Sequence, residues 1–189
     1  MSRVHRDIAT ILYNARLFHI KRSPVLEDVI ARSVEELFEL LESCKIDYLL
    51  VGGIALLNYV EGRNTEDIDL ILSPADLARI EPLKIESQDR DFVRAHFGAL
   101  RIDCLLTQNP LFDYVRQHCA TEAGFRGRIV RLATVEGLIL LKFYALPSLY
   151  RQGQFERVAL YETDVMMLLP KYPHPIEPVF DLLRQHLLS

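Results

Sequence analysis

The segment Asp67-Ile68-Asp69-Leu70-Ile71-Leu72 constrains this chain more than any other. Its apolar residues read as a buried strand, yet two carboxylates open it two positions apart. Side chains in a strand alternate between faces, so Asp67 and Asp69 share one face. Two neighbouring carboxylates repel unless a cation neutralises them, which makes the pair a natural ligand set for Mg²⁺. A polar strand edge facing solvent would carry the same residues.

Two further features frame this pair. Tyr48-Leu49-Leu50-Val51 reads as a buried strand that stops at Gly52-Gly53, followed by helical periodicity from Ile54 to about Val60. Glycine lets backbone amides approach a phosphate closely, and a helix N-terminus offers unpaired N–H groups to an anion. A plain tight turn is the alternative. The spacing from Gly53 to Asp67 leaves room for one short helix and a loop, a return that brings the carboxylates back beside the glycine turn. Asp103 lies in an apolar strand, Leu100 to Leu106, where a carboxylate needs a partner. Arg101 or Arg94 would make that a structural ion pair; the same metal centre would make Asp103 the third member of a two-metal site.

The remaining elements follow from periodicity and punctuation. Residues 5–18 suggest a short helix. Ser23-Pro24 starts a second, with Leu26, Ile30, Val34, Leu37 and Leu41 in one stripe down to about Cys44. Ser73-Pro74-Ala75-Asp76 is a capping-box start for a helix to about Ile80. Residues 81–91 read as irregular, and Phe92–Phe97 with Leu100–Leu106 as a hairpin turning at Gly98-Ala99. Helices are expected at about 110–119, from Thr134 through Leu146, at 154–169 and at 177–188, with a short strand at 128–132. The expected fold class is α+β: a small mixed sheet with flanking helices over residues 1–133, then a helical C-terminal region over 134–189.

Composition narrows the function. The 189 residues carry a formal net charge of −4, so the chain as a whole is no polycationic nucleic-acid binder. Local basic patches remain open at His5, Arg6, Lys21 and Arg22, and at Arg126, Arg128 and Arg131, with a solvated face as the alternative. Cys44, Cys104 and Cys119 form no CxxC pair, which argues against a disulfide framework or zinc site and for small buried side chains in a reducing compartment. No signal peptide and no apolar run of about 18 residues is seen, so a cytoplasmic protein without a membrane span is expected. His19, His96 and His118 lack ligand spacing, and Ser148 and Cys119 lack an evident base partner.

Val51-Gly52-Gly53, then Arg63-Asn64-Thr65-Glu66-Asp67-Ile68-Asp69-Leu70, then Arg101-Ile102-Asp103 resembles the minimal nucleotidyltransferase pattern of the DNA polymerase beta superfamily. The nearest flavour is the AbiEii-like abortive-infection toxin branch and its uncharacterised relatives. The resemblance is specific over 48–107 and looser over 133–170, where Thr134 to Lys142 is similar to the family's capped helix with an inward lysine. It implies that Asp67, Asp69 and Asp103 bind Mg²⁺ or Mn²⁺ and carry catalysis. Gly52 and Gly53 would hold the triphosphate of an NTP. Arg63, Thr65, Lys142 and Asp164 would complete the nucleotide site. The toxin branch's late Lys-Asp-x-x-Asp motif is represented by Leu160-Tyr161-Glu162-Thr163-Asp164, which keeps only Asp164. On residues alone, Lys142 could instead extend its ammonium past the core to water, and Asp164 could be a surface charge.

The implied activity is transfer of a nucleoside monophosphate from an NTP to an acceptor hydroxyl, with pyrophosphate leaving. The acceptor would be tRNA or other RNA, or a protein, with a cognate antitoxin as a partner. Two alternatives stand beside it: a small-molecule transferase of the aminoglycoside type, and a non-catalytic nucleotide- or partner-binding module.

Overall fold

The computed structural model describes residues 24–61, 65, 67–125, 128–173 and 175–187. The helix expected at 5–18, the cap at Ser23 and the basic residues His5, Arg6, Lys21, Arg22 and Arg126 lie outside them, as does Arg63.

The described residues form a mixed α+β fold built on one seven-stranded sheet in the order β3-β4-β5-β2-β1-β7-β6. The elements run α1 Pro24–Ser43, β1 Tyr48–Val51, α2 Gly52–Leu57, β2 Asp67–Leu72, α3 Pro74–Leu77, β3 Lys84–Gln88, β4 Phe92–Phe97 and β5 Leu100–Leu106. Then follow α4 Pro110–His118, β6 Ala120–Phe125, β7 Arg128–Ala133, α5 Val135–Arg151, α6 Phe155–Leu168 and α7 Ile176–Leu187. The fold class is the one the sequence implies.

The centre of the sheet is its most apolar part. In β2, Ile68, Leu70, Ile71 and Leu72 are buried, as are Leu49, Leu50 and Val51 in β1. The two strands pair antiparallel with Val51 opposite Asp69, so the short return after the glycine turn does bring the carboxylate back beside it. On the other side β2 pairs parallel with β5, with Asp69 opposite Asp103. Period-two alternation then puts Asp67, Asp69, Arg101 and Asp103 on one face, while Ile68, Ile102 and Cys104 point into the core.

Local chemistry sets the boundaries. The Ser73 hydroxyl accepts from the Asp76 amide at 3.0 Å and donates to its carboxylate at 2.8 Å, so Ser73 caps the helix. The α3 it starts is shorter than expected and ends at Leu77. The β4–β5 hairpin pairs Phe97 with Leu100 and leaves a two-residue loop, in which Gly98 has a φ of +58° that suits glycine. Asn109 caps α4 by accepting the Leu111 amide at 3.0 Å, and its side-chain amide donates to the Tyr144 hydroxyl on α5 at 3.0 Å.

Three expectations need correction. Residues 84–88 are an edge strand rather than irregular chain, and β6 is a second strand the periodicity does not show. Every side chain of β3 is exposed, so no apolar alternation marks it. The β6 sequence Ala-Thr-Glu-Ala-Gly-Phe has low strand propensity and exists by pairing with β7. Helix α5 also runs beyond Leu146 to Arg151, through Pro147. Pro147 is exposed, so the Phe143 carbonyl that lacks an amide partner can meet water, and buried Leu149 anchors the added turn.

One hydrophobic cluster runs through the described residues, from Val34 and Leu37 on α1 through the sheet to Leu138 and Leu140 on α5, Leu168 on α6, and Val179 and Leu183 on α7. The helices after Ala133 therefore close over the same core as the sheet. No helix among the described residues is long and apolar enough to cross a membrane.

Candidate active site

A cleft of about 470 Å³ opens between the sheet face and the C-terminal helices. Its floor is the β1–α2 turn, Gly52 and Gly53, with Thr65 beside it. One wall is strand chemistry: Asp67, Asp69, Asp103, Arg94 and Arg101. The opposite wall is helical: Lys142 from α5, and Arg157, Leu160 and Tyr161 from α6. Seven of the nine residues singled out in the sequence thus share one cleft. Asp164 does not line it, and Arg63 lies outside the described residues.

The floor requires glycine at both positions. Gly52 has a φ of +64°, and a Cβ there would sit 1.9 Å from an Asp69 carboxylate oxygen. A Cβ on Gly53 would sit 2.5 Å from the Thr65 hydroxyl. The chain needs bare backbone here so that Asp69 on β2 and Thr65 before it can close against the turn. Helix α2 has no side-chain cap at its N-terminus. The Gly53 amide instead donates to the Asp69 carboxylate.

The strand wall gathers more carboxylates than it neutralises. The pKa of Asp69 is pushed up to about 6, first by burial and then by the charges of Asp103 and Asp67; Lys142 and the Gly53 amide pull it the other way. Arg101 pairs with Asp67. The Arg94 Nε donates to Asp103 Oδ1 at 3.1 Å, which holds the guanidinium firmly in its charged form. Of the two partners that the sequence left open for Asp103, Arg94 is therefore the one bonded to it, and Arg101 turns to Asp67 instead.

The helical wall is organised differently. The Lys142 ammonium donates to Asp164 Oδ2 at 2.6 Å, with Lys142 5% exposed and Asp164 wholly buried. The same ammonium lies 4.3 Å from the centre of the Tyr161 ring. Lys142 lines the cleft as the sequence implies, but its closest charge is Asp164. Asp164 is wholly buried and does not line the cleft. Reading the sequence missed Arg94 and Arg101 as cleft residues in their own right, and also Arg157 and Tyr161. Alternation in β4 and β5 could have placed the two arginines on the face of Asp103; nothing in the helical pattern marks Tyr161.

The basic residues Arg128 and Arg131 have acidic partners elsewhere. Arg128 bridges Glu39 at 2.6 Å and Glu42 at 2.8 Å, and Arg131 bonds Asp47 at 2.6 Å. They tie β7 to α1 and the turn after it rather than forming a cationic patch. Burial pushes the thiol of Cys104 up to about 12 and that of Cys119 up to about 11, with neighbouring carboxylates adding to the effect, so both stay protonated. Among the described residues, no three acidic, histidine or cysteine side chains are gathered closely enough to hold a metal ion.

No family model and no curated protein matches the chain significantly. Solved structures do. An antigenic nucleotidyltransferase-like protein from Paracoccidioides brasiliensis matches with a TM-score of 0.54 at 20% identity, over 84% of this chain and 88% of that one. The antibiotic-resistance factor ANT(2'')-Ia in solution matches with a TM-score of 0.58 at 18% identity, over 84% and 90%. ANT(2'')-Ia in complex with adenylyl-2''-tobramycin matches with a TM-score of 0.52 at 18% identity, over 82% and 95%. The architecture is that of nucleotidyltransferase-like proteins, and the likeness spans nearly the whole length of each.

Proposed function

We propose that this chain is a nucleotidyltransferase that moves a nucleoside monophosphate from an NTP to an acceptor hydroxyl. One observation carries the reading. Asp67, Asp69 and Asp103 converge from two paired strands on a cleft floored by the Gly52-Gly53 turn, within a nucleotidyltransferase-like fold.

Asp67, Asp69 and Asp103 would hold a hard divalent cation, Mg²⁺ or Mn²⁺, once Arg101 and Arg94 release Asp67 and Asp103 and the three carboxylates draw together; as placed in this structure they stand too far apart to do so. All three offer carboxylate oxygens from one sheet face, and burial first, then the charges of Asp103 and Asp67, raises the pKa of Asp69. Arg101 and Arg94 compete for Asp67 and Asp103. When bound, the cation supplies charge stabilisation to the phosphates. The chain's own residues do the rest. The glycine floor lets a triphosphate lie against bare backbone, Thr65 borders that floor, and Lys142 adds positive charge from the helical wall. Arg63 precedes β2 in the sequence and is assigned to the phosphates by motif resemblance. Asp164 holds Lys142 in place. Asp103 faces the acceptor hydroxyl. Catalysis is positioning and electrostatics, with no covalent nucleophile required.

The motif resemblance favours an RNA end or a protein side chain as acceptor, in a toxin-like setting with a cognate antitoxin. The likeness to ANT(2'')-Ia favours a small-molecule acceptor of the aminoglycoside type. The test is Mg²⁺-dependent label transfer from each of the four NTPs, with total RNA, the protein itself and an aminoglycoside as acceptors, comparing wild type with Asp67→Ala/Asp69→Ala. Transfer that requires both aspartates is expected. NTP binding that neither Mg²⁺ nor the double substitution alters would sink the reading.

A further inference from the structure

Among the described residues, four cationic side chains line the cleft: Arg94 and Arg101 on the strand wall, Lys142 and Arg157 on the helical wall. Three of them are bonded to carboxylates, Arg94 to Asp103, Arg101 to Asp67 and Lys142 to Asp164. Arg157 has no carboxylate partner among the described residues. Its guanidinium donates to the Gln154 side-chain oxygen at 3.3 Å and to the Tyr161 hydroxyl at 3.4 Å. Both bonds are long and both acceptors are neutral, so its charge is left for an anion that enters the cleft. The ring of Tyr161 sets its place. The Lys142 ammonium lies 4.3 Å from the ring centre, whereas the Arg157 guanidinium lies 5.9 Å from it, at the hydroxyl end. Lys142 is buried and its charge is felt at Asp69; Arg157 is exposed. From Asp69 outward, the order along the helical wall is therefore Lys142, Tyr161, Arg157.

We propose that Arg157 binds the two outer phosphates of the donor, the pair that departs as pyrophosphate, and so fixes the direction in which the triphosphate lies. The inference deepens the nucleotidyl-transfer reading and rests on it for the identity of the donor, though not for the binding of a diphosphate. In that reading the α-phosphate sits at the carboxylate cluster, where the acceptor oxygen reaches it, so the outer phosphates extend away from Asp69. Along the helical wall that path passes Lys142, whose ammonium Asp164 already answers, and ends at the one cleft cation that no described carboxylate answers. The planar fork of a guanidinium matches phosphate oxygens and bonds two of them at once, a stronger contact than the long bonds to Gln154 and Tyr161 that it would replace. A nucleoside monophosphate, whose single phosphate stays at the cluster, falls short of Arg157. The residue therefore reads phosphate number: it separates a donor triphosphate from a spent monophosphate.

The test is isothermal titration calorimetry of the full chain in Mg²⁺ buffer, with inorganic pyrophosphate, a probe that leaves base preference out, and with each of the four NMPs. Wild type is expected to bind pyrophosphate. Arg157→Gln is expected to weaken that binding about tenfold, the effect of one lost charge-assisted contact, and to leave NMP affinity within about twofold. Arg157→Lys keeps the charge without the fork and is expected to fall between the two. Arg157 is at the surface, so neither change threatens the core. Arg184→Gln removes an exposed positive charge on α7, outside the cleft lining, and is expected to leave both affinities unchanged. Equal pyrophosphate affinity in wild type and Arg157→Gln would overturn the proposal. So would an equal loss of NMP binding in Arg157→Gln, an equal loss of pyrophosphate binding in Arg184→Gln, or an absence of pyrophosphate binding by wild type. Label transfer on the same preparations separates this inference from the reading it deepens. Arg157-dependent pyrophosphate binding by a chain that transfers no label removes nucleotidyl transfer and leaves the diphosphate site. Transfer whose KM for NTP is the same in wild type and Arg157→Gln keeps nucleotidyl transfer and removes the site.

Discussion

The two walls of the cleft handle charge in opposite ways. On the helical wall a single lysine meets a single aspartate, both buried, at 2.6 Å, with the ring of Tyr161 against the ammonium. On the strand wall three carboxylates crowd one face with two arginines between them, and Asp69 is left with its pKa pushed up to about 6. The helical pair is joined by a short charge-assisted bond, and the charge of Lys142 is also felt at Asp69 across the cleft. The strand cluster holds unfavourable charge in the folded chain, a condition that marks sites built to receive something. The comparison teaches where to expect function and where stability, and each prediction below either breaks it or sharpens it.

The largest expected effect is on turnover. Asp69→Asn should lower label transfer by on the order of 10³-fold, since a carboxylate at the centre of the cluster has no substitute. Far-UV circular dichroism should show the fold intact. Loss of the fold instead would place Asp69 with the structural residues and erase the contrast.

Next is the helical wall. Asp164→Ala removes the bonded carboxylate from a buried ammonium and should destabilise the chain by about 3–5 kcal/mol in denaturant unfolding. Lys142→Met combined with Asp164→Leu should recover most of that loss, because an apolar pair of similar volume replaces a buried ion pair at little cost. Failure of the double substitution to recover stability would mean that Lys142 has a further partner that matters.

A smaller effect concerns pH. The carboxyl of Asp69 ordinarily titrates near 3.8 and in the folded chain titrates near 6, so between those values the native state keeps a proton that the unfolded chain has released. The contribution of this group to native stability is therefore greatest below about pH 4, falls as pH rises to about 6, and is level above. Asp69→Asn removes that loss and should raise stability at pH 8 by on the order of 2–3 kcal/mol relative to wild type in the absence of divalent cations. The same substitution would then lower turnover and raise stability. A variant less stable than wild type at pH 8 would contradict the raised pKa.

The smallest effect is expected far from the cleft. Arg128 bridges Glu39 and Glu42 across the surface, and Arg128→Ala should change stability by less than about 1 kcal/mol. A larger change would show that surface ion pairs between β7 and α1 matter as much as the buried pair.

Much of this arrangement is legible in the residues. Asp67 and Asp69 lie two apart in a strand, and strand geometry puts them on one face wherever that strand is found. The glycine turn after Val51, the helix cap at Ser73 and the β4–β5 hairpin are local in the same sense, because each is decided by residues within a few positions of one another. That is why the sequence settled the fold class and the elements carrying the three aspartates. Position in the sheet is not local. Residues 84–88 and 120–125 are strands because a neighbour supplies their hydrogen bonds; every side chain of the first is exposed, and the second has low strand propensity. Charge partnership is not local either. Arg101 pairs with Asp67 because β2 and β5 lie side by side in that register, and Lys142 meets Asp164 because α5 and α6 pack together there. A side chain's charge is written in the sequence, but the charge that answers it is chosen by the tertiary structure, since electrostatic energy depends on distance and burial.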